Sequence, residues 1–173
     1  MTQHCACPAD FPSWHEQDID LSGESILASK IPSFLYMPLS YEACLQRQQS
    51  DLEQLELSEQ WPGLVMTRTG LFRGEIYRLL TTGNSPSRHV RSLEAPFNVT
   101  GYLHNGGMGT IRESTRQLQM QLFDQGRMPK ELYLCYLTCP ICYEKKGGDK
   151  ILLLRRWNES ATLKKRLHKK SRG

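Results

Sequence analysis

One order of elements, strand–helix–strand–strand, runs twice through this chain, and it leaves few folds open. In the first pass Phe34-Leu35-Tyr36-Met37 reads as a short strand closed by Pro38. Ser40 is a good N-cap, since its side-chain oxygen can accept from a free N–H of the next turn. Cys44, Leu45, Gln48, Leu52 and Leu55 then recur near one stripe, which predicts an amphipathic helix over 41–57. Trp61-Pro62-Gly63 breaks it. Strands follow over 64–68 and 75–82, with Gly70 and Gly74 in the turn between them.

After a loop at 83–86 the order repeats. Residues 97–104 read as a strand and Asn105-Gly-Gly-Met-Gly109 as a flexible turn. Thr110 and Glu113 have the spacing of a capping box. Ile111, Thr115, Leu118 and Leu122 define one helix face. Gly126 and Pro129 end that helix, and strands follow over 131–138 and 150–157. The halves share little residue identity; what repeats is the order of elements. Two such units predict an α+β fold: an antiparallel sheet of about six strands with both helices on one face. The other face stays open or curls into a cleft, a natural place for a small molecule.

Composition divides the chain further. The net charge is +4, but six Lys/Arg between Lys164 and Arg172 face one acid, Glu159. That stretch carries +5, so residues 1–157 sum to about −1. The expected organisation is an arm over 1–32 that holds a Cys cluster, a ligand-binding domain over 33–157, and a basic tail over 158–173. Such a tail suits an acidic protein, nucleic acid or anionic lipid. No run has the 18 or so apolar residues of a membrane helix, and the first residues lack signal-peptide character. The expectation is a soluble, cytoplasmic protein.

The six cysteines are unevenly placed. Cys139-Pro-Ile-Cys142 lies in a hairpin-like connection over 139–149, where a knuckle aims two thiolates at one point. A tetrahedral metal needs four ligands, so the knuckle is half a site. Cys5 and Cys7, with His4 beside them, supply the rest if the arm folds back, anchored by Phe11 and Trp14. Sulfur ligands of this kind favour Zn²⁺. The pair is also compatible with a redox dithiol or with ordinary free thiols. Cys44 and Cys135 fit core positions.

The strand 99–104 (Val-Thr-Gly-Tyr-Leu-His), the Gly turn, the helix 110–125, Gly126 with Pro129, and the strand 133–136 resemble the GyrI-like small-molecule-binding family. The first half matches by element order, so the resemblance covers roughly residues 33–157. It implies two units about a pseudo-twofold axis and a groove between them lined by aromatic side chains. That family includes effector-binding domains of multidrug-responsive transcription regulators. Stand-alone relatives are associated with toxin binding, with gyrase, or with hydrolysis of reactive small molecules. Two departures stand out: the final strand carries no glutamate, with Asp149 as its nearest acid, and the preceding turn has gained the Cys pair. No helix-turn-helix is evident.

Candidate ligand-binding residues on this basis are Tyr36, Arg68, Glu75, Tyr77, Tyr102, His104, Tyr133 and Asp149. Tyr and His offer stacking surfaces, and Glu75 or Asp149 a carboxylate. Alternation along each strand sends some of these side chains to the helices and others to the open face. The primary reading is a domain that senses or sequesters a hydrophobic or aromatic ligand. The alternatives are a hydrolase of reactive hydrophobic compounds and a partner-binding modulator of a DNA-handling enzyme such as gyrase. No nucleophile elbow, Walker loop or HExxH motif is present.

Overall fold

A computed structural model describes residues 5–172, so His4 lies outside the described residues. The elements are β1 (Asp18–Asp20), β2 (Ser25–Phe34), β3 (Met37–Pro38), α1 (Tyr41–Gln54), β4 (Met66–Arg68), β5 (Arg73–Leu79), β6 (Val90–Ser92), β7 (Asn98–Asn105), α2 (Ile111–Asp124), β8 (Arg127–Tyr136), β9 (Lys150–Glu159) and α3 (Ala161–Ser171). They form an α+β fold around one antiparallel sheet, ordered β1-β7-β9-β8-β4-β5-β2-β3, with β6 also on β2. The units β2-α1-β4-β5 and β7-α2-β8-β9 lie side by side, and strand order reverses about the β4–β8 seam. A single register pair, Thr67 with Leu134, defines that seam.

Both helices lie on one face. From α1, Cys44, Gln48 and Leu52 pack on Leu27, Ile31, Ile76 and Leu80. Gln48 is fully buried yet satisfied: its amide donates to the Leu27 carbonyl (3.2 Å) and its oxygen accepts from Arg78 Nε (2.9 Å). Arg78 in turn pairs with Glu59 at 3.0 Å. The Tyr41 ring of α1 meets Tyr136 of β8 edge-on at 5.9 Å, which places α1 on the α2 side of the seam.

The largest core cluster is on the opposite face. Met66, Tyr77, Leu79, Val99, Tyr133, Cys135, Leu152 and Leu154 are buried there under Phe11, Trp14 and Trp61. This face is therefore covered in part by the arm. The arm crosses β7 at Gly101, where a side-chain carbon would come within 2.1 Å of the Trp14 carbonyl oxygen.

Several local expectations need correcting. The first unit opens with β2, which begins inside the stretch assigned to the arm; Ser29, Pro32 and Ser33 mask its alternation. Residues 34–37 are the tip of the β2–β3 hairpin, with Leu35 and Tyr36 at φ 48° and 67°. Ser40 sits at φ 52° and its side chain caps nothing. Thr110 makes no cap bond either, because its hydroxyl serves His104 Nε2 at 3.0 Å. Gly126, at φ 73°, does end α2, but Pro129 falls within β8, beside an irregularity in the register. The basic segment forms the helix α3, capped by Ser160, with no buried side chain. Among the described residues no helix is long and apolar enough to cross a membrane.

Candidate functional site

Two constellations emerge, one of sulfur and one of aromatic rings with charges. The β8–β9 connection curls so that the Cys142 and Tyr143 N–H groups both donate to the Cys139 carbonyl at 3.0 Å. This turn brings the Cys139 and Cys142 sulfurs to 3.8 Å. The arm delivers the other two, with Cys5 Sγ 3.6 Å from Cys139 Sγ. All four sulfurs lie within 4.8 Å of one another, and none is bridged. A tetrahedral thiolate site with metal–sulfur bonds of about 2.3 Å has sulfur–sulfur edges of about 3.8 Å. The donor set and its spacing fit a metal ion.

The arm is held in place beside this cluster. Lys146 Nζ donates to the Pro8 carbonyl (2.7 Å) and the Leu137 carbonyl (2.9 Å). Gly63, at φ 83°, lets the Trp61-Pro62-Gly63 turn press on Ala6 and Pro8. Burial works against a charged Cys139. The Ile141 N–H and the Cys5 and Cys7 thiols outweigh it and bring its pKa down to about 7. Burial pushes the Cys7 thiol upward, and its donation to Cys139 adds to that. A metal ion taken by these four cysteines would displace their protons.

The second constellation lies on the face away from the helices, against the seam. Arg68, Tyr77, Arg91, Phe97, Glu131, Tyr133 and Arg156 surround a cavity of about 150 Å³, together with Leu93 and Glu94. Tyr133 is the hub, with ring centroids 5.6 Å from Tyr77 and 5.9 Å from Phe97. Two guanidiniums lie over the outer rings: Arg91 5.3 Å from the Tyr77 centroid and Arg156 4.5 Å from that of Phe97. Glu75 accepts from the Tyr77 hydroxyl (2.5 Å) and from Arg68 (3.0 Å). Burial alone would raise the Glu75 carboxyl; these two donors outweigh it and hold it below its ordinary value. Burial, reinforced by Glu75, raises the Tyr77 hydroxyl, so it stays a donor at neutral pH. Glu131 approaches Arg156 at 3.6 Å, and its Oε2 has no hydrogen-bond partner within the protein.

Of the residues singled out from sequence, Arg68, Glu75, Tyr77 and Tyr133 meet here. The other four lie elsewhere. Tyr36 is at the exposed β2–β3 tip. Tyr102 and His104 face α2: the Tyr102 hydroxyl donates to Gln117 (3.1 Å), and His104 Nδ1 shares a 2.7 Å bond with Ser114. His104 is thus a buried, satisfied histidine that fixes the entry to α2. Asp149 accepts from Thr138 (3.1 Å) in the β8–β9 connection. Sequence reasoning missed Arg91, Phe97, Glu131 and Arg156. For Glu131 the i, i+2 spacing to Tyr133 was a usable signal, and for Arg156 its parity with Leu152 and Leu154. Arg91 lies on a three-residue strand with no such signature.

A family model described as bacterial hydrolase matches residues 1–156. The chain belongs to this bacterial hydrolase family. The match begins with the arm and ends at Arg156, so it spans both the thiol cluster and the groove. No curated protein matches the chain. Among solved structures, this family member is similar in fold to the EcmrR C-terminal domain, with TM-score 0.54 and 8% identity over 82% of this chain and 96% of that one. It is also similar to the EcmrR chain of an EcmrR–DNA complex, with TM-score 0.58 and 10% identity over 83% of this chain and 56% of that one. At such identities the likeness concerns the fold.

Proposed function

We propose that this chain is a small-molecule-binding domain of the GyrI-like, effector-binding type, and that its ligand lies in the groove against Tyr77, Phe97 and Tyr133. The observation that carries the reading is the aromatic trio at the seam of two similar units. A cavity near 150 Å³ is the size that holds one benzene-like ring, so the ligand core is a single aromatic ring. Arg68 and Arg91 supply donors, and Glu131 an acceptor. Anything larger requires Arg91 or Arg156 to leave the ring it covers. The fold shared with a protein captured on DNA supports a sensing role, and the basic helix α3 offers the contact to an acidic protein or nucleic acid. The thiol cluster is a structural Zn²⁺ site that fastens the arm.

Titration calorimetry with a panel of single-ring aromatics tests this reading. Binding should be saturable and weakened at least about 10-fold in Tyr133→Ala, the loss of one stacking wall. If no ring compound binds, or Tyr133→Ala binds as well, the groove is not the site. Metal analysis should return one zinc per chain, lost in Cys139→Ser.

The family description favours a second reading, hydrolysis of a reactive hydrophobic compound in the same groove. Glu75 is a poor base for it, because its proton affinity is lowered by two donors. Glu131, which lines the groove with its Oε2 3.6 Å from Arg156, is the alternative candidate base. Turnover abolished by Glu131→Gln with binding retained supports catalysis; binding without turnover supports the first reading.

A further inference from the structure

The surface most at odds with a chain that works alone is at the edge of the first unit. Phe34 through Met37, Leu39, Leu71 and Phe72 are large apolar side chains, each between 43% and 69% exposed. They form one patch, because the two turns that carry them are hydrogen-bonded. The Leu35 N–H donates to the Leu71 carbonyl at 2.9 Å and the Tyr36 N–H to the Gly70 carbonyl at 3.2 Å. Exposed apolar surface gathered in this way marks a contact site.

The hairpin tip adds an independent indication. A two-residue loop with positive φ at both positions is the natural place for Asn-Gly or Asp-Gly. Here Leu35 and Tyr36 occupy it at φ 48° and 67°, and a left-handed conformation costs a side-chain-bearing residue about 1–2 kcal/mol. Bulky apolar side chains are thus kept, at a cost in stability, at an exposed turn.

We infer that this patch is the interface of a two-fold dimer, formed with a second copy of the chain. Seven side chains of about 200 Å² each, at these exposures, present roughly 800 Å², the share each partner contributes to a standard stable interface. Residues 31–41 and 69–72 carry no ionised side chain, so the patch meets its own copy with no like charges opposed. The flanks hold both signs, Lys30 and Arg73 against Glu42, which a two-fold axis can set in opposite pairs.

Sedimentation velocity on the full chain near 100 μM tests the inference, with a Leu35→Asn/Tyr36→Gly variant and a Phe72→Lys variant alongside. The wild type should run at twice 19.9 kDa. Both variants should run as monomers, their self-association weakened at least about 100-fold, as expected for loss of interface anchors. The double variant has the residues its turn prefers, so its melting temperature should hold or rise, which separates lost association from lost folding. A monomeric wild type overturns the proposal, and so do variants that remain dimeric. A wild type that stays monomeric yet sediments with phosphatidylserine vesicles also overturns it, in favour of a lipid surface.

Discussion

Replacing Gly101 by alanine separates the arm from the sheet without touching a thiol or a groove residue. The added carbon would sit 2.1 Å from the Trp14 carbonyl oxygen and 2.9 Å from the carbonyl carbon, both backbone atoms. A strand backbone tolerates alanine, so the arm must give way. With it go the Glu16 N–H bond to the Gly101 carbonyl (2.9 Å), the Gly101 N–H bond to the Gln17 carbonyl (3.0 Å) and the Leu103 N–H bond to His15 Nδ1 (2.9 Å). At about 1 kcal/mol net apiece, the docked arm loses roughly 3 kcal/mol before the cover over Leu103 and Leu152 is counted. The same arm carries Cys5 and Cys7, so metal affinity should fall by up to about 100-fold, at 1.4 kcal/mol per decade. Hydrogen exchange at residues Glu16, Gly101 and Leu103 should accelerate, while amides of β5 and β8 keep their protection. A competitive zinc titration reads the affinity. Unchanged exchange together with wild-type affinity would refute the idea that arm docking and thiol geometry are one event.

Three further outcomes follow from the packing. Glu59→Ala leaves the Arg78 guanidinium buried without its 3.0 Å partner. Removing one member of a buried pair costs about 3–5 kcal/mol, so calorimetry should show a melting temperature lower by roughly 10 °C. The Glu75 carboxyl is held below its ordinary 4.5, so its contribution is present above that value and lost as pH falls through the folded value. Stability measured by denaturant should therefore drop on acidification below about pH 4.5, and less steeply in Glu75→Gln. Deleting residues 160–172 removes a helix with no buried side chain, so the melting temperature should change by no more than about 3 °C, whereas salt-sensitive binding to a polyanion should disappear.

The second unit was far more legible in the sequence than the first. Leu118 and Leu122 keep a clean helical stripe, and Ile151 to Leu154 are apolar on both faces because β9 is central in its unit. By contrast β2 is interrupted by Pro32 and paired along only part of each edge, so polar residues enter it and its period fades. Strand parity limited the reading of the groove. Tyr77 and Tyr133 face one way while Tyr102 and His104 face the other, and composition alone does not tell these pairs apart. The sulfur set was legible because a Cys-x-x-Cys turn is a local geometry. Its completion by Cys5 and Cys7 depends on a return of the chain that Phe11 and Trp14 only suggest.

That return sets an order in time. The sulfur contact between Cys5 and Cys139 joins residues 134 positions apart, and β1 waits for β7 in the same way. Residues 5–20 leave the ribosome long before β7 and the β8–β9 connection exist, and pairings of such sequence separation form slowly. The arm is thus made well before β7 and the β8–β9 connection that place it. A nascent chain stalled before Cys142 carries its groove-side core uncovered, and for that interval it depends on whatever shields apolar surface in the cell.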